Sequence, residues 1–358
     1  MFFLFNIFLI FVYYFAIEAG KLSKAKKRKI FCLASGIHLG AIQALRHPFI
    51  FYDNGGYAQA FHNISDYSFT DVTIGVTRYT QWGQGYVFFN WLLTKLTHDD
   101  EILFFLSGVI IVGCMSFLIY KTSYKPLLSI MIWILHPMLY YQSMYVLRQH
   151  IASIFLLLAL YYYRKKIKTY LYFILAFLFH YSALVFSPFY LFGRFNFKRL
   201  FSYKIVSFAI VLIIVLRLSV GFVISLLPRF EYEDVGSRNI VPLIILGSLT
   251  FMHYINGNFS RKLADDDLKI LQFLVFGVII SFFIIGLPGG GRLSNYFIYI
   301  TPFAVPLLYK YNKKLKFANN IYVIFLFFLF SYLCYDTFVT FEINDYQFFW
   351  EKAIVEFR

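Results

Sequence analysis

The chain has 358 residues, of which 60% are apolar and 14% charged, with a formal charge of +15. Soluble domains run at about 45–50% apolar and about 25% charged, so this composition excludes a soluble fold. The 47 Phe and 30 Tyr are spread through apolar runs rather than gathered in one tract, which excludes low complexity and disorder.

What remains is an all-α polytopic membrane protein, read as one integral membrane domain over residues 1–358. Residues 1–17 are apolar from the start and precede the basic run 21–29. A cleaved signal peptide carries its charge on the other side, so this segment reads as a retained helix with its N-terminus outside. A spanning helix needs about 20 mostly apolar residues. Further crossings are expected at 30–45, 102–120, 126–141, 149–163, 205–227, 240–256, 268–287, 293–309 and 318–338, about ten in all. Two stretches, 85–96 and 169–193, fit poorly as full spans. The first is half the needed length and the second has basic residues at both ends, so both are read as re-entrant or broken segments.

With that threading both termini lie outside, and the inner loops hold 23 of the 33 basic residues. The inner set is mostly Lys and the remaining ten mostly Arg. Lysine is a compact, hydrated charge. A guanidinium holds its proton under all conditions and grips phosphate or carboxylate through two parallel donors. Outer arginines therefore suggest an anionic ligand. In chain order these are Arg46 at the end of the second helix, Arg78 in the long outer loop 46–84, Arg148 at the lip of a helix beside Gln149, and Arg292 after a run of glycines. Arg217 falls in the middle of a span, where a charge costs several kcal/mol and is functional by default, although a packing ion pair looks the same in sequence.

The loop 46–84 mixes acids, amides and aromatics, which suits a carbohydrate: sugar C–H faces pack on rings while hydroxyls bond to carboxylates and amides. Trp82 fits either a sugar platform or an interfacial belt. His180 lies inside the apolar stretch 169–193, at the tip if that segment bends back, where it serves as a proton acceptor or hydrogen-bond donor. The run His98, Asp99, Asp100 and Glu101 reads first as a solvated loop. The three cysteines sit in apolar runs, and no HExxH, P-loop, GxSxG or paired-Cys pattern occurs, so neither cofactor nor metal is expected.

Several short motifs then stand together: Tyr52-Asp53-Asn54-Gly55-Gly56-Tyr57, then Gly85-Tyr86 through Asn90-Trp91-Leu92, then Leu147-Arg148-Gln149-His150. Phe179-His180-Tyr181-Ser182-Ala183 with Pro188, and Gly291-Arg292 followed by Tyr296-Phe297, complete the set. On these the chain resembles the EpsG-like branch of Wzy-type polysaccharide polymerases over roughly residues 30–310. Relatives often carry an acid just before the second motif, where this chain has Gln84.

The resemblance implies metal-independent, block-wise growth of a cell-surface glycan (O-antigen, capsule or exopolysaccharide) at the outer face of the bacterial cytoplasmic membrane. The glycan is transferred from undecaprenyl diphosphate to a hydroxyl of another lipid-linked repeat unit, with a chain-length regulator and a flippase as pathway partners and no nucleic acid. It implies Arg148 with Asp53 or His180 as catalytic groups. Arg46, Tyr57, Arg78, Trp82, Gln149, Arg217, Arg292 and Tyr296 are then substrate-binding. Rival readings are a flippase or carrier for the same lipid-linked saccharide, and another membrane ligase or acyltransferase. A flippase would show repeat symmetry and gates on both sides, whereas no internal repeat is evident here.

Overall fold

The computed structural model describes residues 2–47, 52–187, 189, 240–259, 262–284, 290–311, 314–340 and 348. The described residues are mainly helical, with no named strand. Three helices are long and apolar enough to cross a bilayer: α6 (Glu101–Thr122), α11 (Asp265–Ile284) and α14 (Lys316–Thr340). These carry the expected crossings 102–120 and 318–338 and, of 268–287, residues 268–284, the rest lying outside the described residues. The crossings 1–17, 149–163 and 240–256 fall on the shorter apolar helices α1 (Phe2–Ala19), α8 (Leu147–Tyr161) and α10 (Ile240–Ile255). Crossing 30–45 falls within α2 (Lys24–Ala44), while 205–227, with Arg217, lies outside the described residues.

Two expected spans are corrected. Residues 126–141 are not one helix. Helix α7 (Pro126–Leu135) stops where His136 turns extended, because the following Pro137 disfavours helical backbone before it. At 1.5 Å per residue these ten residues reach about 15 Å, half a hydrocarbon core. Residues 293–309 split into α12 (Gly290–Ile298) and α13 (Thr301–Tyr311) at a turn just before Pro302, which has no amide hydrogen to bond the Ile298 carbonyl; the Thr301 hydroxyl donates to that carbonyl at 2.8 Å instead. Of the two poor spans, 85–96 falls on the short helix α5 (Gln84–Thr94), while 169–193 opens in α9 (Lys166–Phe179) and breaks at the extended His180, with residues 188 and 190–193 outside the described residues. The expected outer loop 46–84 contains α3 (Tyr52–Ser65) and α4 (Phe69–Ile74), the latter started by a reciprocal capping box between Ser68 and Asp71.

The chain forms two compact units, residues 1–184 with 320–358, and residues 185–319. In the first, α2 lies closely along α6 because small residues face each other. A Cβ on Gly108 would stand 3.0 Å from the Ala44 amide nitrogen, and one on Gly36 would meet Ser116. This is how helices associate where lipid removes the hydrophobic drive. Arg28 Nε and Nη2 donate to the Tyr120 and Ile119 carbonyls at 2.7 and 3.2 Å, which caps the C-terminal end of α6 with positive charge.

In the second unit, Phe186, Phe273 and Phe297 form an aromatic core with centroids 4.5–5.5 Å apart. Lys310 pairs with Asp267 at 2.6 Å. His253 is wholly buried, with Nε2 3.0 Å from the Ala304 carbonyl and Nδ1 accepting from Asn258 at 2.9 Å. Both ring nitrogens are therefore satisfied in the neutral, Nε2-protonated form.

Candidate active site

Four of the sequence motifs meet in the first unit. Helix α3 carries Asp53, Asn54 and Tyr57. Asp53 and Tyr57 are one turn apart, so they share a face, with Asp53 exposed and Tyr57 buried. The face one turn further on, Ala60 and Ile64, packs with Val72 and Val87 into a small core under Tyr67, Tyr79, Trp82 and Trp91. Trp82 is held among Tyr79, Tyr57 and Tyr86, with ring centroids 4.7, 5.6 and 5.7 Å away.

Arg148, second residue of α8, lies over this aromatic floor. Its Cζ is 4.5 Å from the Trp82 centroid and 5.9 Å from that of Tyr57. Its buried Nε meets no acceptor among the described residues. Stacking uses the face of a guanidinium and leaves the in-plane N–H edge for an acceptor. Burial raises the Tyr57 hydroxyl above the usual tyrosine range, and the nearby Arg148 charge opposes that rise.

His180 reaches the same region through backbone contact. Gly83, the residue after Trp82, sits against the end of α9 so closely that a Cβ would stand 2.3 Å from the Leu178 oxygen and 2.5 Å from the Phe179 carbonyl. His180 follows at once as an extended residue (φ −153°, ψ 114°), and its Nδ1 is 2.6 Å from Ser182 Oγ. Gln84 uses its amide to bond the Val72 carbonyl and so ties α5 to α4.

The other expected ligand groups are placed differently. Arg78 is exposed on the turn before Trp82, its amide donating to the Tyr67 hydroxyl at 3.1 Å. Gln149 is buried beside Arg148. Arg46 is 1% exposed and directs its donors at protein carbonyls. Tyr296 is buried in the second unit, 5.4 Å from the Phe186 ring. Arg292 lies in the first turn of α12, its side chain outside the described residues, as is all of Arg217. Sequence reasoning left out of the site Tyr79 and Tyr86, which wall Trp82, and Gly83, which allows the close approach to α9. The signal available for the tyrosines was their spacing of three and four residues from Trp82.

No curated protein and no solved structure matches the chain. The profile of the EpsG family matches residues 29–349, nearly the whole length. With its apolar helices, the chain is thus a membrane protein that belongs to the EpsG family, a family of Wzy-like polysaccharide polymerases.

Proposed function

We propose that this protein joins lipid-linked oligosaccharide repeat units at the outer face of the bacterial cytoplasmic membrane. The glycan leaves undecaprenyl diphosphate and bonds to a sugar hydroxyl of another lipid-linked repeat unit. The observation that supports this most is Arg148, stacked on Trp82 and Tyr57 with a buried Nε that meets no protein acceptor among the described residues.

In this reaction the bond from the anomeric carbon to the diphosphate oxygen breaks and its electron pair leaves with the phosphate. A bond forms from the acceptor oxygen to the same carbon, and the hydroxyl proton passes to a base. Negative charge grows on the phosphate oxygens, where a fixed guanidinium stabilises the transition state more than the ground state. The aromatic floor keeps water from one face of Arg148 and strengthens that interaction. Tyr57, Arg78, Trp82 and Gln149 are proposed as the saccharide-side lining.

Two groups are candidates for the base. Asp53 is exposed, one turn from Tyr57. His180 can accept at Nε2 when its Nδ1 carries the proton and donates to Ser182 Oγ. Purified protein in liposomes with a defined lipid-linked repeat unit tests the reading. Arg148→Lys, which cannot present a planar fork, is expected to lower polymer formation by about 100-fold at unchanged protein level. Normal polymer from that variant would reject the diphosphate role, and lipid translocation without new glycosidic bonds would reject polymerisation itself. Asp53→Asn and His180→Ala identify the base, since only the variant lacking it loses the acidic limb of the pH–rate profile, where protonation of the base lowers the rate. Wild-type rates in both would exclude both groups.

A further inference from the structure

Arg46 and Arg148 look alike in the sequence, yet Arg46 is buried and faces backbone. Its Nε and Nη2 donate to the Met144 carbonyl at 3.0 and 2.7 Å, and Asn54 Nδ2 reaches the same oxygen at 3.3 Å. A carbonyl oxygen has two lone pairs, so three donors saturate it. Arg46 Nη1 also bonds the Gln43 carbonyl, and its Cζ lies 5.4 Å from the Phe104 ring centroid. One turn earlier on α2, Gln43 Nε2 donates to both the carbonyl and the hydroxyl of Ser143 at 3.0 Å. Two consecutive residues, Ser143 and Met144, are therefore held from the end of α2.

Those residues close a short 3₁₀ turn (Gln142–Met144) that leads directly into α8. The N-cap of α8 is Val146 (φ −97°, ψ 62°), which offers no side-chain cap. A helix start without a Ser, Thr, Asp or Asn cap lacks the local device that usually fixes where the first turn begins. Here the anchor comes from residues about 100 positions away in the chain. Arg148 is the second residue of that uncapped helix, so the direction of its side chain depends on the anchor.

We propose that Arg46 is a positioning residue: by holding Met144, with help from Asn54, it sets the course on which Arg148 leaves α8 over Trp82. This rests on the reading of Arg148 as the diphosphate-binding group.

A double-mutant cycle on the full-length protein in lipid nanodiscs tests it, with undecaprenyl diphosphate as the probe and Kd as the readout. Arg148→Ala is expected to weaken binding about tenfold, as loss of a charge-assisted bond does. Arg46→Met is expected to weaken it by a similar factor alone and by less than twofold in the Arg148→Ala background, because groups that act through one another are not additive. Arg46→Lys should resemble Arg46→Met, since an ammonium cannot make the two-pronged contact.

Full additivity would overturn the proposal, because a direct ligand contact or a general loss of folded protein lowers affinity in both backgrounds. Unaltered affinity in Arg46→Met would overturn it as well. If Arg46→Met does not accumulate, Asn54→Ala enters the same cycle under the same criteria, with an expected two- to threefold loss. Full affinity in Arg148→Ala would reject the diphosphate reading and this inference together. A weak Arg148→Ala beside a normal Arg46→Met rejects the inference alone.

Discussion

Replacing Gly83 with alanine probes the contact that brings His180 toward the aromatic floor. Gly83 has φ −60° and ψ 129°, a conformation open to any residue, so the position is restricted by space and not by backbone freedom. The added Cβ would lie 2.3 Å from the Leu178 oxygen and 2.5 Å from the Phe179 carbonyl carbon and oxygen. All three are backbone atoms, so no side chain can swing away. Restoring contact at about 3.5 Å requires the start of α5 and the end of α9 to part by about 1 Å. Overpacking of this kind costs about 1–3 kcal/mol. A shift of about 1 Å between groups that must converge on a substrate costs about 100-fold in rate.

The assay is polymer formation in proteoliposomes, with unfolding followed on the same preparations. Gly113→Ala is the control, because nothing lies within 4 Å of a Cβ there and the residue is inside helix α6. Alanine at such a site should stabilise by up to about 1 kcal/mol and leave activity unchanged. Gly83→Ala protein with wild-type rate and stability would refute the close seating of α5 on α9, and with it the convergence of His180 on the site.

Two further outcomes follow from the geometry. Trp82→Ala removes the face on which Arg148 stacks, worth about 0.5–2 kcal/mol, so KM for the lipid-linked donor should rise by about 2- to 30-fold while Trp82→Phe stays near wild type; equal effects in the two variants would show that the ring face is not what matters. The Ser68 hydroxyl and amide hold the Asp71 carboxyl below the usual carboxylate range. That contribution to α4 is complete above the unfolded carboxyl's pKa, near 4, and is lost as pH falls through the lower folded value. Amide exchange in residues 72–75, corrected for intrinsic rate, should be constant from pH 5 to 8 and accelerate only once the pH falls below the usual carboxylate range; protection that is already lost at pH 5 would contradict the box.

Much of this architecture is readable along the chain. The apolar run 102–120 is uninterrupted and becomes α6 almost residue for residue. The end of α7 is also a local matter, since His136 precedes Pro137, and counting apolar residues through to Tyr141 hid it. Helix α4 announces itself by Ser68 and Asp71 at capping-box spacing. Helix α3 does not, because Gly55 and Gly56 disfavour helix locally. Burial of Ala60, Phe61 and Ile64 overrides that preference.

Residue type and short-range spacing are enough to place this chain in a membrane and to single out Arg148, Trp82, Tyr57, Asp53 and His180 as candidate groups. Contacts between distant parts of the chain are what stack Arg148 on Trp82, seat Gly83 on the end of α9 and turn Arg46 onto Met144. A guanidinium has the same charge and donors wherever it stands, and what it does depends on which face is stacked, which edge is bonded and how much water remains, all set by partners far along the chain.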